Sequence, residues 1–221
     1  MTPSRRTFLL GGAALVALAL AGCGDDDNGA AASGNNVDPA ALAVEGPLGD
    51  IVLGSPDAPV TIVEYASMTC PHCAAFHHDT FPQLKAEYID TGMVRFIMRE
   101  YPLDDFATAG FMLARCLPED QYYDMIALLF DQRDAWVTQG QPEQIVAGLR
   151  SLGRQVGFTD ASFDACLSDQ TLLDGINAEK ARGTRDFRVA ATPTFFVNGE
   201  RVEGEVPFDA LSAIINRHMP A

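Results

Sequence analysis

A chain of 221 residues, 48% hydrophobic and 9% aromatic, can bury one sizeable core once a leader is removed, and is too short for two independent domains. Thirty acidic residues against fifteen basic ones leave a net charge of -15, which repels a phosphate backbone and excludes nucleic acid as a partner.

The first element is a leader, residues 1–22. Arg5 and Arg6 precede an apolar run from Phe8 to Ala21 that is too short and too alanine-rich for a membrane span, which is the pattern of a signal peptide. Ser4 to Leu9 resembles a twin-arginine export signal, and Leu20-Ala21-Gly22-Cys23 resembles the lipobox at which a lipoprotein is cut and its cysteine acylated. The alternative is a general secretory signal cut among the small residues. The expected location is periplasmic or otherwise extracytoplasmic, with Cys23 as a lipid anchor. Residues 23–46, rich in Asp, Asn, Gly, Ala and Ser, hold too little apolar surface to offset the entropy of ordering and are expected to form a flexible tether. The folded domain is then 47–221.

Ile51-Val52-Leu53 and Val60 to Tyr65 are β-branched runs bounded by Gly54, Pro56 and Pro59, which predicts a first hairpin or strand pair. From His72 to Asp90 apolar residues recur at helical spacing (Phe76, Phe81, Leu84, Tyr88), with a kink expected at Pro82 and an end at Gly92. Met93 to Met98 predicts a second buried strand. Between about Asp105 and Phe187 the patterns are helical and no strand is evident, so this stretch is expected to be a helical insertion. Thr194 to Val197 and Arg201 to Glu203 flank Asn198-Gly199, a strong hairpin signal, and Pro207 to His218 predicts a closing helix.

Cys70-Pro71-His72-Cys73 falls directly after a predicted strand, at the first turn of a predicted helix. The unpaired N–H groups there carry partial positive charge and favour the Cys70 thiolate, the form that attacks a disulfide. Cys73, one turn further in, is expected to be buried. His72 supplies a second cationic or donor group, and Pro71 removes an N–H that the first turn would not use. Stabilising the reduced thiolate makes the disulfide form the stronger oxidant.

These residues resemble the DsbA family of periplasmic disulfide oxidases, whose active-site tetrapeptide is Cys-Pro-His-Cys and which has an acidic-aromatic pair where Glu64-Tyr65 stands. The resemblance runs from about Gly49 to the C-terminus. It implies an α/β, thioredoxin-like fold with a helical insertion, and a cis-proline loop at Thr192-Pro193 facing the cysteines, where the Thr192 backbone pairs with substrate peptide. The implied activity is thiol:disulfide exchange, with Cys70 attacking and Cys73 resolving. Its partners would be exported client proteins with cysteine pairs and a membrane quinone-linked protein that reoxidises the couple. No cofactor is expected, and a monomer is favoured. Threonine before the cis-proline also occurs in isomerases and reductases, which leaves those directions open. A lipid-anchored peptide- or metal-binding module with an inert disulfide is the alternative from another class.

Glu64 lies on a strand expected to be buried, where a lone carboxylate is costly or takes up a proton, so it is a candidate proton shuttle to Cys73. The competing reading is a structural ion pair with Lys85, Arg95 or Arg99, or a solvent-facing position. His77 and His78 could complete a zinc site with the two cysteines, but neighbouring helix positions point apart, so no metal is expected and one of them reads as a partly exposed surface residue. With Cys23 acylated and Cys70 and Cys73 paired, Cys116 and Cys166 are left to form a structural disulfide or to stand as two buried thiols.

Overall fold

The computed structural model describes residues 36–137 and 141–220. The leader, Cys23 and the first part of the expected tether lie outside the described residues. In chain order the elements begin with a one-turn helix α1 (Pro39–Leu42), a short strand β1 (Val52–Leu53) and a long strand β2 (Val60–Ala66). Helix α2 (Pro71–Asp79) breaks at Thr80 and resumes as α3 (Phe81–Leu84), which widens into a π turn over Lys85–Ile89 before β3 (Val94–Glu100). The kink expected at Pro82 therefore falls just ahead of it, because proline's missing N–H and fixed φ suit the start of a new helical segment.

Among the described residues six α-helices follow, with a 3-10 turn (Glu119–Gln121) ahead of the second: α4 (Asp105–Arg115), α5 (Tyr122–Asp131), α6 (Arg133–Trp136), α7 (Pro142–Gln155), α8 (Asp160–Leu167) and α9 (Gln170–Phe187). The chain then returns through β4 (Thr194–Val197), β5 (Glu200–Glu203) and α10 (Phe208–His218). The strands form one sheet in the order β1-β3-β2-β4-β5, with β2 and β3 parallel and the other pairs antiparallel. The hairpin of β4 and β5 turns at Asn198 and Gly199, both at positive φ (45° and 90°), as a two-residue turn of this hand requires.

The expected first hairpin does not form. β1 pairs with β3 through Val52 opposite Ile97, while β2 has β3 on one side and β4 on the other. All but one residue of β2 is buried, so it occupies the centre of the sheet, and the two-residue β1 is left to close an edge.

Side chains alternate across β2 and β3. Val60, Ile62, Ala66, Phe96 and Met98 face the larger core, with α2 and the helical insertion above them. Val63, Tyr65 and Ile97 face a smaller core built with Phe187, Val189 and Phe196. The insertion is tied by a disulfide between Cys116, at the end of α4, and Cys166 on α8, with Cα atoms 6.1 Å apart.

The smaller core corrects the expected tether. Residues 36–46, though mostly exposed, are fixed at several points: Val37 N–H donates to Gly199 O at 2.9 Å, Asp38 caps α1 through Ala40 N–H, and Leu42 is buried among Val63, Tyr65 and Phe196. Arg99, 1% exposed, donates to Asp50 at 2.7 and 3.0 Å and to the carbonyls of Leu42 and Val44. A segment with one large apolar residue in the core is thus held mainly by buried polar bonds, which composition does not reveal.

Candidate active site

Three residues, Ser67 to Thr69, carry the chain from the end of β2 to Cys70, and each side of that loop is clamped. Cys70 N–H donates to Ser67 O at 3.1 Å, and Leu103 N–H donates to Ser67 Oγ. Thr69 Oγ1 donates to Asp104, the residue that also caps α4 through Ala107 N–H. Arg133 reaches across from α6 and places two donors on Thr69 O, at 2.7 and 2.9 Å. Cys70 then caps α2 with extended backbone (φ -74°, ψ 123°), and Pro71 opens the helix. Cys70 is 4% exposed and Cys73 is fully buried.

Facing Cys70 across the end of the sheet is the Thr192–Pro193 peptide bond, which is cis. The Cys70 thiol donates to Thr192 O over 3.3 Å. Thr192 Oγ1 is buried with no hydrogen-bond partner among the described residues. The loop is anchored by Gly204 N–H on Pro193 O and by Thr194 Oγ1 on Ala191 O.

The two sulfurs are electrostatically unequal. Cys70 is pulled down from 9.0 to about 5, first by a hydrogen bond from Cys73, then by Thr192 and by the backbone N–H groups of Cys73 and His72, all against the opposing effect of burial. Cys73 is pushed well above the usual thiol range by burial, by its bond to Cys70 and by the charge of Glu64. One thiol is thereby favoured as a thiolate and its neighbour as the protonated form.

The role expected of the His72 ring is corrected. Its side chain is 67% exposed and turned to Glu205 at 3.4 Å, so the residue acts on Cys70 through its backbone N–H, as the first turn of a helix dictates. Glu64 is fully buried, and its partner is none of the cations considered from sequence: Arg99 pairs with Asp50, Lys85 with Asp90, and Arg95 points to the opposite face of the sheet from Phe96. His77 Nε2 lies 2.9 Å from Glu64 Oε2, while His78 faces Asp131. His78, 45% exposed, is the partly exposed residue expected of the pair, whereas the His77 side chain, 5% exposed, stands one turn after Cys73 and faces the sheet.

Sequence reasoning missed Arg133, Asp104 and the His77 contact. Asp104 was detectable as an acidic residue just before a predicted helix. Arg133 and His77 act across distances in sequence that periodicity does not report.

A family model described as Thioredoxin matches residues 48–217. A Rickettsia bellii protein described as a candidate protein-disulfide oxidoreductase is 32% identical over 169 residues, which are 76% of this chain and 64% of that one. This chain therefore spans a little under two thirds of that relative's length. Disulfide bond formation protein D of Bacillus subtilis is 26% identical over 77% of this chain and 78% of its own. The crystal structure of Wolbachia pipientis alpha-DsbA1 superposes with a TM-score of 0.74 at 27% identity, covering 82% of this chain and 95% of that one. The chain belongs to the thioredoxin family, in its DsbA-like branch.

Proposed function

We propose that this protein is an exported thiol:disulfide oxidoreductase that works as a dithiol oxidase, passing the Cys70–Cys73 disulfide to cysteine pairs of other exported proteins. The observation that carries the reading is the inequality of the two thiols, with Cys70 held near a pKa of about 5 while buried Cys73 stays protonated. A couple whose reduced form is stabilised this way gives up its disulfide readily.

In the forward reaction a client thiolate attacks Cys70 Sγ, the Cys70–Cys73 bond breaks, and its electron pair leaves on Cys73 Sγ, which takes a proton by way of Glu64. The second client thiolate attacks the client sulfur of the mixed disulfide and expels Cys70 as a thiolate. Thr192 O, which accepts from the Cys70 thiol at 3.3 Å in the cis-proline loop, would accept an N–H of an extended client backbone. A membrane quinone-linked protein would reoxidise the pair, and Cys23 would hold the domain at the membrane.

The test supplies oxidised protein to a reduced, unfolded ribonuclease and, separately, to one with scrambled disulfides. A dithiol oxidase forms disulfides in the first and leaves the second largely inactive. Efficient recovery of the scrambled enzyme alone would make the protein an isomerase.

A further inference from the structure

Behind Cys73 the sheet carries a second ionisable centre. Glu64 sits on β2 opposite Met98 of β3 and Phe195 of β4, so no charge flanks it within the sheet. Its Oε2 meets His77 Nε2 at 2.9 Å, and its Oε1 is buried with no hydrogen-bond partner among the described residues. Cys73 and His77 are one helical turn apart, so sulfur and imidazole share the face of α2 that covers the carboxylate.

The imidazole is boxed by aromatic rings: Phe130 stacked at 4.4 Å, Phe81 at 4.7 Å, Phe76 at 5.3 Å and Phe96 at 6.4 Å. Ring faces attract a cation, so the box can hold an imidazolium as well as neutral imidazole. The other ionisable neighbours are Cys70, the cap of α2, Cys73 on α2 and Tyr123 on α5, whose hydroxyl is turned to Ile51 O. Among the described residues His77 is the only cation-capable group in contact with Glu64.

We infer that Glu64 and His77 form a single proton store for Cys73, in which His77 is the positioning and proton-sharing partner of the carboxylate. The inference rests on the oxidoreductase reading. When the Cys70–Cys73 bond breaks and Cys73 leaves as thiolate, a proton moves from the pair to that sulfur. The pair passes from net neutral, as carboxylate and imidazolium or as carboxylic acid and imidazole, to a net charge of minus one. The total charge of the centre is unchanged by the transfer, and solvent later returns the proton through His77. In the reverse half-reaction Cys73 gives its proton to the pair as it attacks the mixed disulfide. A carboxylate alone in this apolar setting would take up a proton and keep it, whereas a partner able to carry charge lets it cycle.

The test uses the full-length protein carrying glutathione on Cys70, and follows release of glutathione by Cys73 against pH. His77→Gln keeps an N–H donor for Glu64 but cannot carry the proton. It is expected to slow release about a hundredfold, within the range for general acid-base catalysis, and to remove one inflection from the pH profile while the alkylation midpoint of Cys70 stays in place. A His77→Gln profile superimposable on wild type would overturn the inference. If that variant does not fold, the histidine-labelled wild type decides: ring-nitrogen shifts of His77 that report a protonation change between oxidised and reduced protein support the store, and identical shifts overturn it. Failure of the wild type to exchange with glutathione at all would remove the oxidoreductase reading as well, so the two failures are distinguishable.

Discussion

Cys70 Sγ and Thr192 O stand 3.3 Å apart across 122 positions of sequence, and the Thr192 hydroxyl beside them has no hydrogen-bond partner among the described residues while Cys70 is a thiol. Loss of the thiol proton would remove the carbonyl as a partner, and a hydroxyl turned to the thiolate would then supply a donor, in line with the downward pull of Thr192 on the Cys70 pKa. The loop contacts the thiol and, by its downward pull on the Cys70 pKa, favours the thiolate.

Alkylation of Cys70 with iodoacetamide is expected to titrate with a midpoint at about 5, far below an ordinary thiol. Thr192→Val removes the hydroxyl and keeps the shape, and should raise the midpoint by roughly one pH unit, the equivalent of one hydrogen bond. His72→Ser leaves the backbone N–H in place and should move it less than Thr192→Val does. An unshifted Thr192→Val midpoint would show that the hydroxyl does not reach the thiolate.

The same displacement governs stability. A thiol whose folded pKa is about 5 against 9.0 unfolded stabilises the reduced protein fully above pH 9, and that contribution fades as pH falls toward 5. The oxidised protein has no such group. Melting temperatures of the two forms, measured across this window, should therefore show the reduced form gaining on the oxidised form as pH rises from about 5. Above pH 9 the gain should erode, because Cys73 is pushed up and resists ionising. A difference that is flat in pH would contradict the assignment.

How much of this was legible differs by element. The Asn198-Gly199 turn and the Cys70 to Cys73 motif announce themselves, since both depend on local chemistry that the residues state directly. The pairing of β1 was not legible, because a two-residue strand carries no register information and its partner lies more than forty positions on. Residues 36–46 read as a tether because their anchor is Arg99, on a distant strand. Glu64 announced itself as a buried acid, but its partner His77 was hidden by a neighbour, His78, with the same side chain on another face.

Arg99→Leu tests the packing of residues 36–46. It leaves Asp50 buried without its partner and frees the carbonyls of Leu42 and Val44, which should cost about 3–5 kcal/mol. A fall in melting temperature of roughly 10 °C is expected, with Cys70 reactivity retained in the folded protein. Retention of the wild-type melting temperature would show that this segment contributes nothing.

The Cys116–Cys166 bond closes a separation of 50 residues, for which loop-closure entropy gives about 4 kcal/mol. The double variant Cys116→Ala, Cys166→Ala should melt lower and still exchange disulfides through Cys70 and Cys73. Loss of exchange at a temperature where the variant remains folded would make the second pair catalytic.

The central claim is that the Cys70–Cys73 couple is an oxidant, and its reduction potential against glutathione measures that directly. The account predicts a potential well above that of thioredoxin, about -270 mV, and toward that of DsbA, about -120 mV. A value near thioredoxin's would make the protein a reductase and contradict the account.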